Sequence, residues 1–222
     1  ALPICVKGGA GTSDVLQIDE AVTVTGATSS TNTLNAVSGF EQLNVRGAAV
    51  AVALTTNDAG ITTFDFDDDS GTDVANGTTN QQSLTLNSGY YQAVTVNIDD
   101  TDDVTNSANV ALTVNVEGLE MLAGSTITGG TGDDAINGMV NYAAGALATT
   151  TTYNAGDQIK GAAGTDVFNL TISGSNVAAD TMTPTMVGVE TLSVMNYETE
   201  AGTSLTIDLS LADSDLATVG TS

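Results

Sequence analysis

Three glycine-rich phrases, each carrying an aspartate, are the parts of this 222-residue chain best suited to chemistry. They span residues 8–16, 129–137 and 161–169, and in each a short apolar run follows the aspartate. Glycine permits turns with positive φ that expose backbone carbonyl oxygens, and the aspartate adds a carboxylate to the same turn. Calcium takes about six to eight oxygen ligands, so the oxygens of two successive turns must converge on it. The phrases therefore predict calcium-binding turns.

The second and third phrases supply the strongest candidate ligands. Asp157 precedes Asp166 by nine residues, and the apolar residues Ile159 and Phe168 have the same spacing. We expect two turns in register, with both aspartates in one calcium ladder and both apolar side chains pointing inward. The predicted metal residues of this block are Gly129, Gly130, Gly132, Asp134, Asp157, Gly161, Gly164 and Asp166.

The first phrase fits the pattern less closely. Its predicted metal residues are Gly9, Gly11 and Asp14. The aspartate comes one residue late, and Ser13 stands in the ligand position. In the second phrase Ile136 is the expected inward residue, and Ser125 stands where an upstream aspartate would precede Asp134. The alternative interpretation of all three phrases is a set of glycine- and aspartate-rich turns that bind no metal.

Two further acidic stretches cover residues 65–73 and 99–103. The first alternates acids around a glycine, and Asp67, Asp69 and Asp73 are its candidate cation ligands. It lacks the glutamate and the flanking helices of an EF-hand. Closely packed carboxylates repel one another, so each stretch is either splayed in solvent or neutralised by a cation. Solvated loops are the favoured interpretation of both stretches.

A second phrase, Gly-apolar-Glu-x-Leu, also occurs three times, with its glutamates at Glu41, Glu120 and Glu190. The turn glycine is followed by a strand-like run, and the glutamate has the same place in each copy. The glutamate is either a solvated strand residue, or a hydrogen-bond partner of the neighbouring coil, or a cation ligand.

The elements that must position these residues are strands. Runs such as 22–25, 63–66, 84–86, 94–98 and 111–114 alternate apolar and polar residues, which is typical of half-buried strands. Helical periodicity is almost absent. Apolar residues make up 41% of the chain, too many for a disordered chain. The sequence predicts an all-β fold in which parallel β-roll or solenoid-like calcium turns combine with strand-rich repeat units.

Composition excludes several function classes. The chain has no His, so a Ser-His or Cys-His nucleophile and a His-ligated zinc are excluded. Three Lys and Arg against 27 Asp and Glu give a net charge of −24, which disfavours nucleic acid and anionic membranes as partners. No apolar run is long enough for a spanning helix, so we expect no membrane insertion. The single Cys5 cannot form an internal disulfide, and we expect it to be a small buried apolar residue.

The order of the phrases suggests two successive units. The first covers residues 1–123 with a degenerate calcium turn near its start. The second covers residues 124–222, with a calcium block at 124–170 followed by a strand segment. Within that block we expect residues 139–153 to form an inserted loop. The chain starts at Ala1 without a methionine, which predicts a start that is processed or cut from a longer protein.

The glycine-aspartate phrases at 129–137 and 157–168 resemble the nonapeptide of the RTX (repeats-in-toxin) proteins, which binds calcium in a parallel β-roll. The composition and the Gly-x-Glu strands are similar to those of calcium-dependent bacterial surface-layer proteins of Gram-negative bacteria, exported by type I secretion. The resemblance implies a secreted, extracellular protein of the bacterial cell surface with Ca²⁺ as its cofactor.

The resemblance also implies a non-enzymatic role. We expect a structural, self-assembling surface-layer or filament subunit, whose partners are further copies of itself and cell-surface polysaccharide. The alternative is a calcium-stabilised adhesin module of a secreted RTX protein. A weaker alternative is the calcium-roll appendage of a secreted hydrolase.

Overall fold

A computed structural model describes most of the second half of the chain and shorter parts of the first. The described residues are 6–18, 23–25, 37–45, 51–54, 60–66, 83–88, 90–98, 102–116, 124–143, 146–147, 151–153, 156–175, 180–198 and 205–221. They form strands and turns and contain no helix, so the all-β prediction is confirmed. No described element is a helix that could cross a membrane.

Two large sheets hold most of the strands, numbered here in chain order. The ten-stranded sheet contains β2 (Val15–Ile18), β5 (Gln42–Val45), β7 (Thr63–Phe66), β9 (Val94–Ile98), β11 (Leu112–Val116), β13 (Ala135–Ala143), β14 (Ala146–Leu147), β16 (Val167–Gly174), β19 (Thr191–Glu198) and β21 (Thr218–Thr221). The seven-stranded sheet contains β3 (Thr23–Thr25), β6 (Ala51–Leu54), β8 (Ser83–Leu86), β10 (Asp103–Asn106), β12 (Thr126–Gly130), β15 (Gln158–Ala162) and β18 (Thr185–Val187).

Two small parallel pairs complete the described strands. They are β1 (Val6–Lys7) with β4 (Val37–Ser38), and β17 (Asp180–Met182) with β20 (Leu205–Ile207).

The chain passes between the two large sheets in alternation from β2 to β19. Among the described strands of the two sheets, each one after the first pairs in parallel with the strand one full passage earlier, except β14, which pairs antiparallel with β13. One passage through both sheets is called a coil here. Coils differ in length, because aligned residues lie 18 residues apart between β9 and β11 and 32 apart between β13 and β16. This alternation is consistent with the predicted parallel β-roll.

The core lies between the sheets and is built from the inward residues of each strand. In the ten-stranded sheet one inward position repeats through the coils as Leu43, Phe64, Val96, Val114, Ile136, Phe168 and Leu192, each fully buried. Ile159 in the seven-stranded sheet is 1% exposed. The inward positions predicted from sequence for Ile136, Ile159 and Phe168 are therefore confirmed. Each such side chain contributes about 1.5–3 kcal/mol relative to an exposed one.

The prediction that residues 139–153 form an inserted loop is wrong at its first end, whereas residues 151–153 lie outside any strand. Strand β13 continues through Met139 to Ala143, because β16 offers a partner along its whole length. Tyr153 is buried, and its ring contacts that of Phe168 with centroids 4.8 Å apart. Gly138 lies beneath Tyr153, where an added Cβ would be 2.9 Å from the tyrosine Cβ. The tyrosine thus fills the core space that a side chain at Gly138 would take.

The sheets cross the predicted boundary between residues 123 and 124. Strand β10 pairs with β12, and β11 pairs with β13, so strands from either side of the boundary are hydrogen-bonded neighbours. The division into two units stays a prediction from the order of the sequence phrases.

Candidate metal centre at the strand starts

The acids of the two sequence phrases occupy one structural position. The residue aligned with Asp134 in each coil, at or just before the start of a strand, is called the start column of the ten-stranded sheet. The strand pairing aligns Asp134 with Asp166, and Asp166 with Glu190. It likewise aligns Asp14 with Glu41. The full column is Asp14, Glu41, Thr62, Val94, Leu112, Asp134, Asp166, Glu190 and Ala217.

Four of the five acids in this column, all except Asp14, reach back to the preceding coil. Asp134 Oδ1 accepts the backbone N–H of Leu112 at 2.8 Å, and Asp166 Oδ1 accepts that of Asp134 at 2.9 Å. Glu190 Oε2 accepts the N–H of Asp166 at 2.7 Å. Glu41 Oε2 accepts the N–H of Asp14 at 2.9 Å. Glu41 and Glu190 are therefore hydrogen-bond partners of the neighbouring coil, and the carboxylates bind successive coils together.

The glycine five residues before each aspartate makes room for its carboxylate. A Cβ on Gly129 would overlap Oδ2 of Asp134, and a Cβ on Gly161 would overlap Oδ2 of Asp166. A Cβ on Gly9 would lie 3.3 Å from Asp14 Oδ2, which is tight but less severe. The spacing Gly-x-x-x-x-Asp is thus set by the packing of a carboxylate against a bare Cα.

The other turn glycines serve the backbone. Gly130 and Gly164 have φ values of 103° and 153°, which side chains rarely adopt. A Cβ on Gly132 would overlap the carbonyl oxygen of Val110, and one on Gly164 would overlap that of Gly132. Gly11 has only ordinary contacts, with Asp14 Oδ1 3.6 Å from an added Cβ. Gly130, Gly132 and Gly164 therefore allow turns of successive coils to stack closely, whereas Gly11 is not needed for this.

The second carboxylate oxygen of three start-column aspartates is buried without a hydrogen-bond partner. These atoms are Oδ2 of Asp14, Asp134 and Asp166. Asp134 is 2% exposed and Asp166 is fully buried. A buried carboxylate oxygen without a partner is costly, and it is normally satisfied by a proton or by a cation. The same atom is left free at equivalent turns, which fits the hard-oxygen donor set of calcium.

Burial also changes the protonation of these acids. Burial raises the pKa of Asp134 to about 7; the N–H of Leu112 opposes the rise, and the charges of Asp166 and Asp133 add to it. Burial likewise raises the pKa of Asp166 against the effect of its hydrogen bond from Asp134, and Glu190 and Asp133 add to the rise. The column therefore favours neutralisation, by protons or by a bound cation.

The prediction that Asp157 and Asp166 share one ladder is wrong. Asp157 precedes β15 in the seven-stranded sheet, whereas Asp166 precedes β16 in the ten-stranded sheet. Nine residues carry the chain from one sheet to the other, so they amount to part of a coil and not to a full one. The coil neighbours of Asp166 are Asp134, 32 residues earlier, and Glu190, 24 residues later.

Asp157 belongs to a second start column, that of the seven-stranded sheet. The pairing aligns Asp157 with Ser125 and with Asp102, and all three are at most 1% exposed. Asp157 Oδ1 accepts the N–H of Ser125 at 2.8 Å, and Asp103 Oδ1 accepts that of Thr126 at 2.8 Å. The expectation of a solvated loop is thus wrong for Asp102, which is buried directly before β10.

The N-terminal turn also differs from its prediction. Asp14, and not Ser13, lies in the start column, because the strand that follows it begins at Val15. Ser13 is exposed. Asp14 comes one residue late in the sequence phrase, but it still directly precedes its strand, so only the turn before it differs.

Several predicted ligands lie outside the described residues. They are Asp67, Asp69 and Asp73, together with Glu120 of the glutamate phrase. Cys5, expected to be a buried apolar residue, also lies outside the described residues. Within the described part of the chain, no three acidic or Cys side chains form a ready-made metal cage. Calcium binding stays a prediction, with the free Oδ2 atoms as its candidate donors.

Sequence reasoning missed a ladder of amides on the half-buried outer face of the ten-stranded sheet. Asn169 Nδ2 donates to Asn137 at 2.9 Å, and Asn137 donates to Asn115 at 2.8 Å. Asn115 donates to Asn97 at 2.8 Å, and Asn97 donates to Asp65 at 3.3 Å. The available signal was the amide three residues after the start-column acid, as in Asp134–Asn137 and Asp166–Asn169.

The described site thus joins two kinds of ladder, charged at the strand starts and neutral on the outer face. Comparison of the chain with family models, with curated proteins and with solved structures finds no match.

Proposed function

We propose that this chain is a structural, self-assembling extracellular subunit, of a bacterial surface layer or filament, whose folding and assembly depend on calcium. The observation that supports it best is the repeated free oxygen, Oδ2 of Asp14, Asp134 and Asp166, at equivalent turns of stacked coils. One such oxygen on its own would be an isolated packing defect. Its recurrence at three equivalent turns indicates that the turn sequence itself leaves this oxygen without a partner.

Electrostatics supports calcium as the occupant. A chain with a net charge of −24 repels itself in the folded state. Asp134 and Asp166 add charges that lie one coil apart, about 4.8 Å, in a buried position. A divalent cation neutralises both and binds mainly the folded state, so it stabilises that state by mass action.

The strand arrangement supports a structural role. The described residues build open parallel sheets, and β2 and β21 are the two ends of the ten-stranded sheet. Each end strand pairs with one described neighbour only, and an open strand edge is a template for another chain. Secretion, the cell-surface location and contact with surface polysaccharide belong to the same proposal.

The test of calcium dependence is thermal unfolding of the chain in excess CaCl₂ and in chelator. We expect the chelated protein to melt well below the calcium form, and equal melting temperatures would reject the calcium part of the proposal. Asp166→Ala should lose most of the calcium-induced shift. Asp215→Ala is the matched control, because Asp215 is exposed and lies outside the start columns.

Assembly is tested by light scattering. We expect scattering to rise with millimolar CaCl₂, to reverse with chelator and to stay flat when NaCl supplies the same ionic strength. Sodium chloride only screens charge, over about 8 Å in physiological salt. A response to NaCl equal to that of calcium would reduce the role of calcium to screening.

The amide ladder favours one alternative function, a calcium-stabilised adhesin module. The row from Asn97 to Asn169 presents side-chain amides in regular steps on the outer face of a sheet. Such a row could bind hydroxyl groups of a surface glycan. A chain that stays monomeric at high concentration in calcium and binds polysaccharide would support the adhesin instead.

A further inference from the structure

The backbone N–H groups of eight of the nine start-column residues take one of two partners, and the next coil decides which. At the ninth, Val94, the N–H donates instead to Ala111 O at 3.0 Å. Where the next coil supplies an acid, the N–H donates forward to its carboxylate. Where it does not, the N–H shares the carbonyl oxygen of the preceding coil with the N–H that follows it. The forward donors are Asp14, Leu112, Asp134 and Asp166, and the residues that share a preceding carbonyl are Glu41, Thr62, Glu190 and Ala217.

The two ends of the column are complementary under this rule. At one end Asp14 is the first acid, and no described coil precedes it in the sheet to donate an N–H, whereas Oδ1 of Asp134 and of Asp166 and Oε2 of Glu190 each accept an N–H from the coil before. At the other end the N–H groups of Ala217 and Thr218 both donate to Glu190 O, at 2.9 Å each. Ala217 therefore holds an N–H that would turn forward if an acid followed, and Asp14 is an acid that lacks such a donor.

The inward apolar side chains are incompletely buried at the same two ends of the ten-stranded sheet. Val219 continues the inward column in register with Leu192, yet it is 50% exposed, whereas Leu192 is fully buried. At the other end Leu16 continues the column in register with Leu43 and is only partly buried. Each end therefore exposes apolar surface that the pattern of the fold would bury beneath one more coil.

We propose that a second copy of this chain stacks head to tail on the first, with β2 of one copy pairing in parallel with β21 of the other. In this register Ala217 lies beside Asp14 and donates its N–H to the aspartate carboxylate, while Val219 packs against Leu16. The junction has the same parallel pairing as the pairs of successive coils within one copy. A head-to-tail contact does not close on itself, so it produces a linear filament.

This inference rests on the self-assembly in the proposed function and names its interface. It differs from a twofold dimer, in which β2 would meet β2 or β21 would meet β21. Those pairings are antiparallel and would leave Asp14 without the N–H of Ala217.

Disulfide trapping tests the register directly. Val15 and Thr218 follow Asp14 and Ala217, so they would lie side by side across the junction, and both are exposed. Strands about 4.8 Å apart bring cysteines within bridging distance. In a Cys5→Ser background, one sample carries Val15→Cys and the other Thr218→Cys, and they are mixed in calcium under mild oxidation. We expect the mixed dimer, and a chain with both substitutions should give a ladder of oligomers.

Homodimers of the Val15→Cys or the Thr218→Cys protein without the mixed dimer would overturn the head-to-tail junction, even if calcium-dependent scattering persists and upholds the proposed function. Absence of assembly at any calcium concentration would overturn the proposed function itself. Mixed dimers that form equally in chelator would uphold the junction and reject its calcium control.

A second variant tests the open core end without cysteine chemistry. Val219→Lys places a charge at the inward position of the junction, and we expect loss of the high-mass species in sedimentation velocity. Tyr91→Lys is the control, because Tyr91 is 70% exposed and lies in a middle coil. Both variants should keep the β signal of the parent in circular dichroism. Undiminished assembly of folded Val219→Lys would overturn the junction.

Discussion

The two sheets begin their strands with buried acids, but the acids are held differently. In the ten-stranded sheet, Asp134 and Asp166 each use one oxygen on the preceding coil and leave Oδ2 free. In the seven-stranded sheet, Asp157 also binds the preceding coil through Oδ1. Among the described residues, every aspartate oxygen that is buried without a partner belongs to the ten-stranded column.

The glycines explain part of this difference. In the ten-stranded column, Gly129 leaves space that the Asp134 carboxylate occupies. In the seven-stranded column, the residue five before Asp157 is Thr152, which carries a side chain where the other column has a glycine. An acid at a strand start is therefore enough to join two coils. A glycine set against the carboxylate adds a second oxygen that is free for a cation.

The largest effect is expected from filling that space. Gly129→Ala would push its methyl group into the Asp134 carboxylate and towards Gly161 O, 2.9 Å away. We expect a loss of about 3 kcal/mol in the free energy of unfolding, measured by urea denaturation. Gly220→Ala is the matched control, because an added Cβ there meets nothing within 4 Å. Equal stabilities of the two variants would contradict the tight packing at Gly129.

The second-largest effect is expected when the charge of a start-column aspartate is removed, because only the ten-stranded column is proposed to bind calcium. Asp134→Asn keeps an acceptor for the N–H of Leu112 and removes the buried charge. In chelator at pH 8 we expect this variant to equal or exceed the parent in stability, by up to about 2 kcal/mol. In calcium it should be less stable than the parent, because a ligand is lost.

Asp157→Asn is the counterpart in the seven-stranded column. Its change in stability should be the same in calcium and in chelator. If Asp157→Asn abolished the calcium response and Asp134→Asn did not, the cation site would belong to the seven-stranded column.

The third effect is a pH dependence. The pKa of Asp134 is about 7 in the fold and 3.8 as an ordinary value, so between these values the folded state holds a proton that the unfolded state has released. The free energy of unfolding in chelator should therefore fall as pH rises through this window, by at most about 1.4 kcal/mol per pH unit. Calcium should remove the fall, because it stabilises the ionised form.

Thermal melts from pH 4.5 to 8 measure this dependence. Asp134→Asn lacks the titrating group, so its melting temperature should vary less with pH than that of the parent. Parallel curves for the two proteins would show that other acids dominate.

The smallest effect is expected in the neutral ladder. Asn115→Ala removes two hydrogen bonds on a half-buried face and should cost about 1 kcal/mol. The cost should be the same in calcium and in chelator, and at pH 5 and pH 8. A cost that changed with calcium would link the outer face to the cation site and weaken the contrast between the two kinds of ladder.

The sequence was sufficient to predict the strands and the inward side chains. Alternation identifies Ile136, Ile159 and Phe168 as core residues because it depends only on neighbours in the chain. The register of the coils could not be predicted, since the connections between strands differ in length and aligned residues lie between 18 and 32 apart. A fixed period of nine therefore placed Asp157 beside Asp166.

The common role of the two phrases was also missed. Their glycines and acids differ in spacing, as in Gly129–Asp134 and Gly39–Glu41, so the phrases looked unrelated. The shared feature is the pattern after the acid, an inward apolar residue at the second position and a polar one at the third.

The strict pairing of each strand with those of adjacent coils has a consequence for cooperativity. Every described parallel pairing in the two large sheets joins coils that are consecutive in the chain, so stability is a sum of terms for single coils and for their nearest neighbours. Such a molecule need not melt in one all-or-none step, because terminal coils can fray while the middle ones stay folded. A single melting temperature would then average over several local transitions, and coils near Asp134 and Asp166 would gain the most protection from a bound cation.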